Sequence, residues 1–221
     1  MNKESLDRLR GPAVSRRTAL AATGVMGAGF AAAGAAYLYG EDAEPEVASA
    51  NVSRQGRMED YFPNVELITH RGERVRFYDD VLRDKTVVII PMYLACDDYC
   101  PLTTANLLAV KDLMGDRVGR DLFFYGLTLD PVLDTPELLN DYAMQIGAGD
   151  GFTFLTGAFD DIELVRHKIG LFDPDPTIDA DRSSHGAMAI YGNEPKGRWC
   201  GLPALVRPDR IAFRIRRVMD A

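Results

Sequence analysis

Cys96 and Cys100 stand four residues apart in the stretch YLACDDYCPL, between the apolar run VVIIPM and the helix-patterned TTANLLAVKDLM. The chain holds only three cysteines, so two of them at one strand-to-helix junction concentrate thiol chemistry at a single point. If the turn between them is helical, both sulfurs share a face at the electropositive end of the helix, which favours thiolate. Thiolates attack disulfides and bind soft metals, whereas a buried structural disulfide is the plainer alternative for C-x3-C. Pro101 suits an early helical position, where its missing N–H would have no partner anyway.

The elements around this junction follow from periodicity. TVVIIPMY is a continuous apolar run, as a strand buried on both faces requires, and Leu107, Val110, Leu113 and Met114 recur at helical spacing after it. Upstream, VELITHRGERVRFYDD carries two β-rich runs around a His70–Glu73 turn and reads as a hairpin. Downstream, strands are expected around DLFFYGLTL, FTFL, HGAMAIYG and RWCGLPAL. Helices are expected around TPELLNDYAMQI, FDDIELVRHKIG and RPDRIAFRIRRVM. Alternating strands and helices imply one α/β domain over residues 61–221, with a mixed central sheet flanked by helices.

Other side chains are weighed against that frame. Asp130 falls at the end of the strand beside the cysteine strand, the edge where α/β sites form; it either tunes the site at one remove or shapes the turn with Pro131. Asp134-Thr135-Pro136-Glu137 reads as a helix start with Asp134 as cap. Cys200 is expected as a small buried hydrophobe in a strand, and Met92 and Met188 as core. His70, in a hairpin turn, and His167, on a helix, are expected at the surface.

The N-terminus adds a destination. Lys3, Arg8, Arg10, Arg16 and Arg17 against Glu4 and Asp7 give the first eighteen residues a net +3; subtracted from the −8 of the whole chain, this leaves −11 for the rest. So acidic a body argues against a nucleic-acid partner. SRRTAL precedes an uncharged, Ala- and Gly-rich stretch from Ala19 to Gly40, which resembles a twin-arginine export signal. The segment over 1–40 is long enough to remain as a membrane anchor, while Ala48-Ser49-Ala50 offers a cleavage site. Residues 41–60 read as an acidic linker. Either way the domain is expected in the periplasm or on the outer face of the cytoplasmic membrane, where a close cysteine pair can cycle or bind metal.

CDDYCP after a strand, TLDPVLDTPE about thirty residues on, and a histidine heading a late strand in SSHGAMAIYG together resemble the Sco/SenC family of copper-binding, thioredoxin-like proteins. The resemblance runs from Phe62 to the C-terminal helix. It implies a thioredoxin-like fold, copper as Cu(I) or Cu(II) held by Cys96, Cys100 and His185, and delivery to an exported cuproenzyme such as a cytochrome c oxidase subunit. Two thiolates and an imidazole suit copper independently, and Zn²⁺ would accept them too. The acidic stretch FDPDPTIDADRSSH is then a solvated loop or an arm that brings His185 to the cysteines. A second reading is a thiol-disulfide oxidoreductase that uses Cys96 and Cys100 as a redox pair on a partner's cysteines. Asp97-Asp98-Tyr99 between the cysteines departs from the many relatives that carry proline there, which puts the redox potential in question.

Overall fold

The computed structural model describes residues 58–181 and 186–220. The expected signal or anchor, most of the expected linker and His185 lie outside the described residues. Within them no helix is long and apolar enough to cross a membrane.

Seven strands form one mixed sheet: β1 (Glu66–Thr69), β2 (Arg74–Arg76), β3 (Thr86–Met92), β4 (Leu122–Thr128), β5 (Phe152–Gly157), β6 (Met188–Asn193) and β7 (Arg198–Pro203), in the order β2-β1-β5-β4-β3-β6-β7. The central trio β5-β4-β3 is parallel, and the outer strands join it antiparallel. Helices α1 (Tyr99–Met114), α2 (Pro136–Gln145), α3 (Phe159–Ile169), α4 (Pro176–Ala180) and α5 (Pro208–Asp220) connect or close the strands. This is the α/β, thioredoxin-like architecture expected from the alternation of periods.

Two apolar layers hold the sheet. Alternation along β3 sends Val88, Ile90 and Met92 into one layer with Leu107 and Val110 of α1, Leu139 of α2 and Ile211 and Ile215 of α5. Val87 and Ile89 face the other layer, with Ile162 and Val165 of α3 and with Phe77, Tyr78 and Leu82. Both faces are covered, which is why β3 tolerates no polar alternation.

Three local expectations are corrected. The second hairpin run ends at Arg76, and Phe77–Leu82 coils into a π-helical segment that buries Phe77, Tyr78, Val81 and Leu82. The acidic stretch after α3 contains the short helix α4, started by Pro176 and capped by Asp175, whose side chain accepts the Thr177 N–H. The fold also reaches back past Tyr61: Met58–Asp60 form a 3-10 turn, and the Met58 N–H donates to buried Glu194.

Candidate metal centre

Parallel β3 and β4 end side by side, with Met92 paired to Thr128, and their C-terminal edge carries the site. From β3 the chain turns at once, the Cys96 N–H donating to the Tyr93 carbonyl at 3.1 Å. Helix α1 then starts at Tyr99, so Cys96 precedes the helix and Cys100 lies within its first turn. The two sulfurs do not share a helical face as the spacing implied. The Asp98 side chain, at the cap position, accepts no capping hydrogen bond; instead Cys96 Sγ accepts the Cys100 N–H at 3.4 Å. One sulfur thus partners an orphan donor at the positive end of α1 and meets the other thiol there.

Electrostatics separate the pair. Burial opposes ionisation of Cys96, but the Cys100 thiol, the N–H groups of Cys100 and Asp98 and the Tyr93 hydroxyl together bring its pKa below the ordinary thiol value. Burial pushes the Cys100 thiol up, and its contact with Cys96 and the Asp134 charge push the same way. Tyr93 is held protonated first by burial and then by the neighbouring Cys96 charge. This tyrosine was missed in the sequence, although its place three residues before Cys96 is the available signal.

Asp134 is not the helix cap. Thr135 is, its hydroxyl accepting the Leu138 N–H at 3.4 Å, with Pro136 at the first helical position. The Asp134 carboxylate, 2% exposed, instead accepts the Leu94 N–H, its oxygens at 3.3 and 3.2 Å, and the Thr128 hydroxyl. It therefore ties the cysteine turn to the end of β4. Asp130 is buried beside it, with its N–H on Thr128 Oγ1 at 2.9 Å and its carbonyl accepting the Leu133 and Asp134 N–H groups. That backbone role shapes the turn. Tyr99, Leu102, Val132 and Leu133 are exposed apolar side chains flanking the cysteine turn and the β4 turn in sequence.

The remaining candidates lie elsewhere. His70 is buried, not at the surface: its Nδ1 accepts the Phe154 N–H at 3.1 Å, completing the join between β1 and β5. His167 is exposed as expected. Its Nε2 groups with carboxylate oxygens of Glu163 and Asp179 within 4.8 Å, but the Arg166 guanidinium lies between those acids, 2.6 Å from each. A cation already neutralises that cluster, so it reads as a clamp between α3 and α4. Met92 is core, while Met188 is 39% exposed at the start of β6. Cys200 is in a strand as expected but exposed, on the edge strand β7.

The donor set fits a soft, thiophilic cation. Two half-buried sulfurs in mutual contact lie beside the exposed residues Asp97 and Asp98, and neither thiol is locked into a disulfide.

Comparison with known proteins agrees. The chain is 28% identical over 162 residues to a Stutzerimonas stutzeri protein described as copper-binding, covering 72% of this chain and 76% of that one. It spans about half the length of two further relatives, at 51% and 50%. Among solved structures, Arabidopsis thaliana ScoI with copper bound superposes with a TM-score of 0.57 at 17% identity, covering 73% of this chain and 99% of that one. BsSco, described as having a disulfide switch and as a member of a family of cytochrome c oxidase assembly proteins, gives 0.52 at 16% identity over 71% and 91%. The SCO1/SenC family model matches residues 54–219, most of the chain, and the chain belongs to that family.

Proposed function

We propose that this protein binds copper through Cys96, Cys100 and His185 and serves in the assembly of cytochrome c oxidase, passing the metal to a binuclear copper centre of an exported subunit. The observation that carries the reading is the contact of Cys96 Sγ with the Cys100 backbone at the start of α1, which gathers two thiols of unlike acidity at one half-buried edge. Copper would supply a thiophilic centre there; the chain supplies the more acidic thiol at Cys96 and a second sulfur at Cys100. Asp134 holds the turn, and Tyr93 donates to the Cys96 sulfur. Three protein donors leave an open side for transfer to a client.

The expected destination belongs to the same proposal. A twin-arginine-type segment over 1–40 and a linker over 41–60 would place the domain of residues 61–221 at the periplasmic face, tethered or released. Folding before export would let the cysteine pair cross as part of a finished site.

The depressed Cys96 pKa also favours a second reading, thiol-disulfide exchange. Cys96 thiolate attacks a partner disulfide, forming a mixed disulfide and releasing one partner thiol. Cys100 then attacks the Cys96 sulfur, releasing the second thiol and leaving a Cys96–Cys100 disulfide.

Anaerobic Cu(I) and Cu(II) titration of the reduced domain, alongside Cys96→Ser, Cys100→Ser and His185→Ala, tests the proposal. One copper per chain, lost in all three variants, is the expected result. Unchanged affinity in His185→Ala removes the three-donor site, and retained disulfide reduction by that variant without tight copper favours the exchange reading.

A further inference from the structure

On the opposite side of β6 from the cysteine strand, edge strand β7 and helix α5 frame a cleft of about 230 Å³ lined by Tyr191, Arg198, Arg214, Arg217 and Val218. Three of its five lining residues are arginines, in a chain of net charge −8. Arg117, Arg166 and Arg207 pair with carboxylates elsewhere, whereas Arg198, Arg214 and Arg217 meet none among the described residues. Asp220, the acid on the same helix nearest Arg217, is committed to Arg117 at 2.9 Å. Like charges gathered in one concavity repel, and a bound anion relieves that repulsion. Guanidinium forks match carboxylate and phosphate oxygens in pairs.

Cys200 adjoins two of the lining residues without lining the cleft itself. It pairs with Tyr191 across the β6–β7 ladder, and Arg198 lies two residues before it on the same face of β7. The Tyr191 ring is buried, and its hydroxyl contacts both the Cys200 thiol and the Arg214 guanidinium. The thiol is exposed.

We propose that this cleft recognises small anionic ligands, and that Cys200 is a thiolation site for low-molecular-weight disulfides that carry carboxylates. The bound disulfide supplies the oxidising equivalent. Cys200 loses its proton to solvent and its thiolate attacks one sulfur; a Cys200–S bond forms as the ligand's S–S bond breaks, and the other half leaves as a thiolate that takes up a proton. The cleft is shallow and its three arginines are exposed, so recognition rests on their paired donors and charge. The proposal is independent of copper and of the Cys96–Cys100 pair.

The test follows Cys200 by peptide mass mapping, which separates it from Cys96 and Cys100, during reaction with an anionic bis(nitrobenzoate) disulfide and with neutral dipyridyl disulfide. Combined Arg198→Gln, Arg214→Gln and Arg217→Gln is expected to slow the anionic reagent on the order of tenfold and to leave the neutral one unchanged. Inorganic phosphate, against chloride at matched ionic strength, is expected to protect wild-type Cys200 from the anionic reagent alone. An unchanged anionic rate in the triple variant, or no protection by phosphate, overturns the proposal. Arginine-dependent sedimentation with phosphatidylglycerol vesicles, without anionic preference at Cys200, assigns the cluster to a lipid surface and overturns it as well.

Discussion

A sulfur accepts the N–H that a capping serine, threonine or aspartate side chain usually takes, while Asp98 at the cap position does not. Because Cys96 Sγ accepts the Cys100 N–H, replacing it has a structural cost separate from any lost metal. Cys96→Ser keeps an acceptor, and Cys96→Ala does not. Urea denaturation of the reduced, metal-free domain is expected to find Cys96→Ala about 1 kcal/mol less stable than Cys96→Ser, the usual size of a lost cap. Equal stabilities would mean that the contact does not hold the turn. Asp134 acts on the same turn from β4. Asp134→Asn loses the charge-assisted bond to Leu94 and is expected to cost about 1–3 kcal/mol. Removing that charge also lowers the Cys100 pKa, which thiolate absorbance near neutral and alkaline pH would register. The stretch D-T-P-E reads with Asp134 as the cap, one residue before the true one. Pro136 was the better guide, since proline prefers the first helical position and so puts the cap at Thr135.

At the level of elements, the seven strands and the four longer helices form where the sequence pattern puts them, and the segments that were not legible are Phe77–Leu82 and the short helix α4. β3, α1 and α5 have apolar positions repeated often enough to declare their period, and all three form where expected. Phe77–Leu82 is too short to show one, and its aromatic and β-branched content resembles a strand. Burial was harder still, because it depends on sheet order, which spacing does not encode. His70 is buried because β5 lies against β1, and Cys200 is exposed on edge strand β7 although Leu202, on the same face of that strand, is buried. The pairing of β6 with β7 depends on one small residue: a Cβ on Gly192 would come within 2.2 Å of the Trp199 ring. Gly192→Ala is expected to force that ring aside and destabilise the domain by about 1–3 kcal/mol. A thermal melt checks this, and a neutral result would mean that the Trp199 ring gives way freely.

The molecule as a whole should lose stability in acid in two distinct steps, set by two buried ties on different elements. Burial and then Arg71 depress the His70 pKa, so the folded protein resists protonation while the unfolded chain takes up a proton near 6.5. The unfolded state then binds more protons, so stability falls as pH drops from about 6.5 toward the lower folded value. Asp179 behaves as a paired acid: the Arg166 guanidinium beside it holds its carboxyl far below the ordinary 3.8. Its contribution is fully present above the unfolded value and is lost only as pH falls below about 3.8 toward the folded one. Melting temperatures across this range are expected to fall first through the His70 window and again in stronger acid. His70→Asn keeps an acceptor for the Phe154 N–H and is expected to flatten only the first step. Asp179→Asn is expected to flatten only the second, and to loosen α4 from α3 at neutral pH. A first step that survives in His70→Asn would show that the tie between β1 and β5 does not govern the mild-acid response.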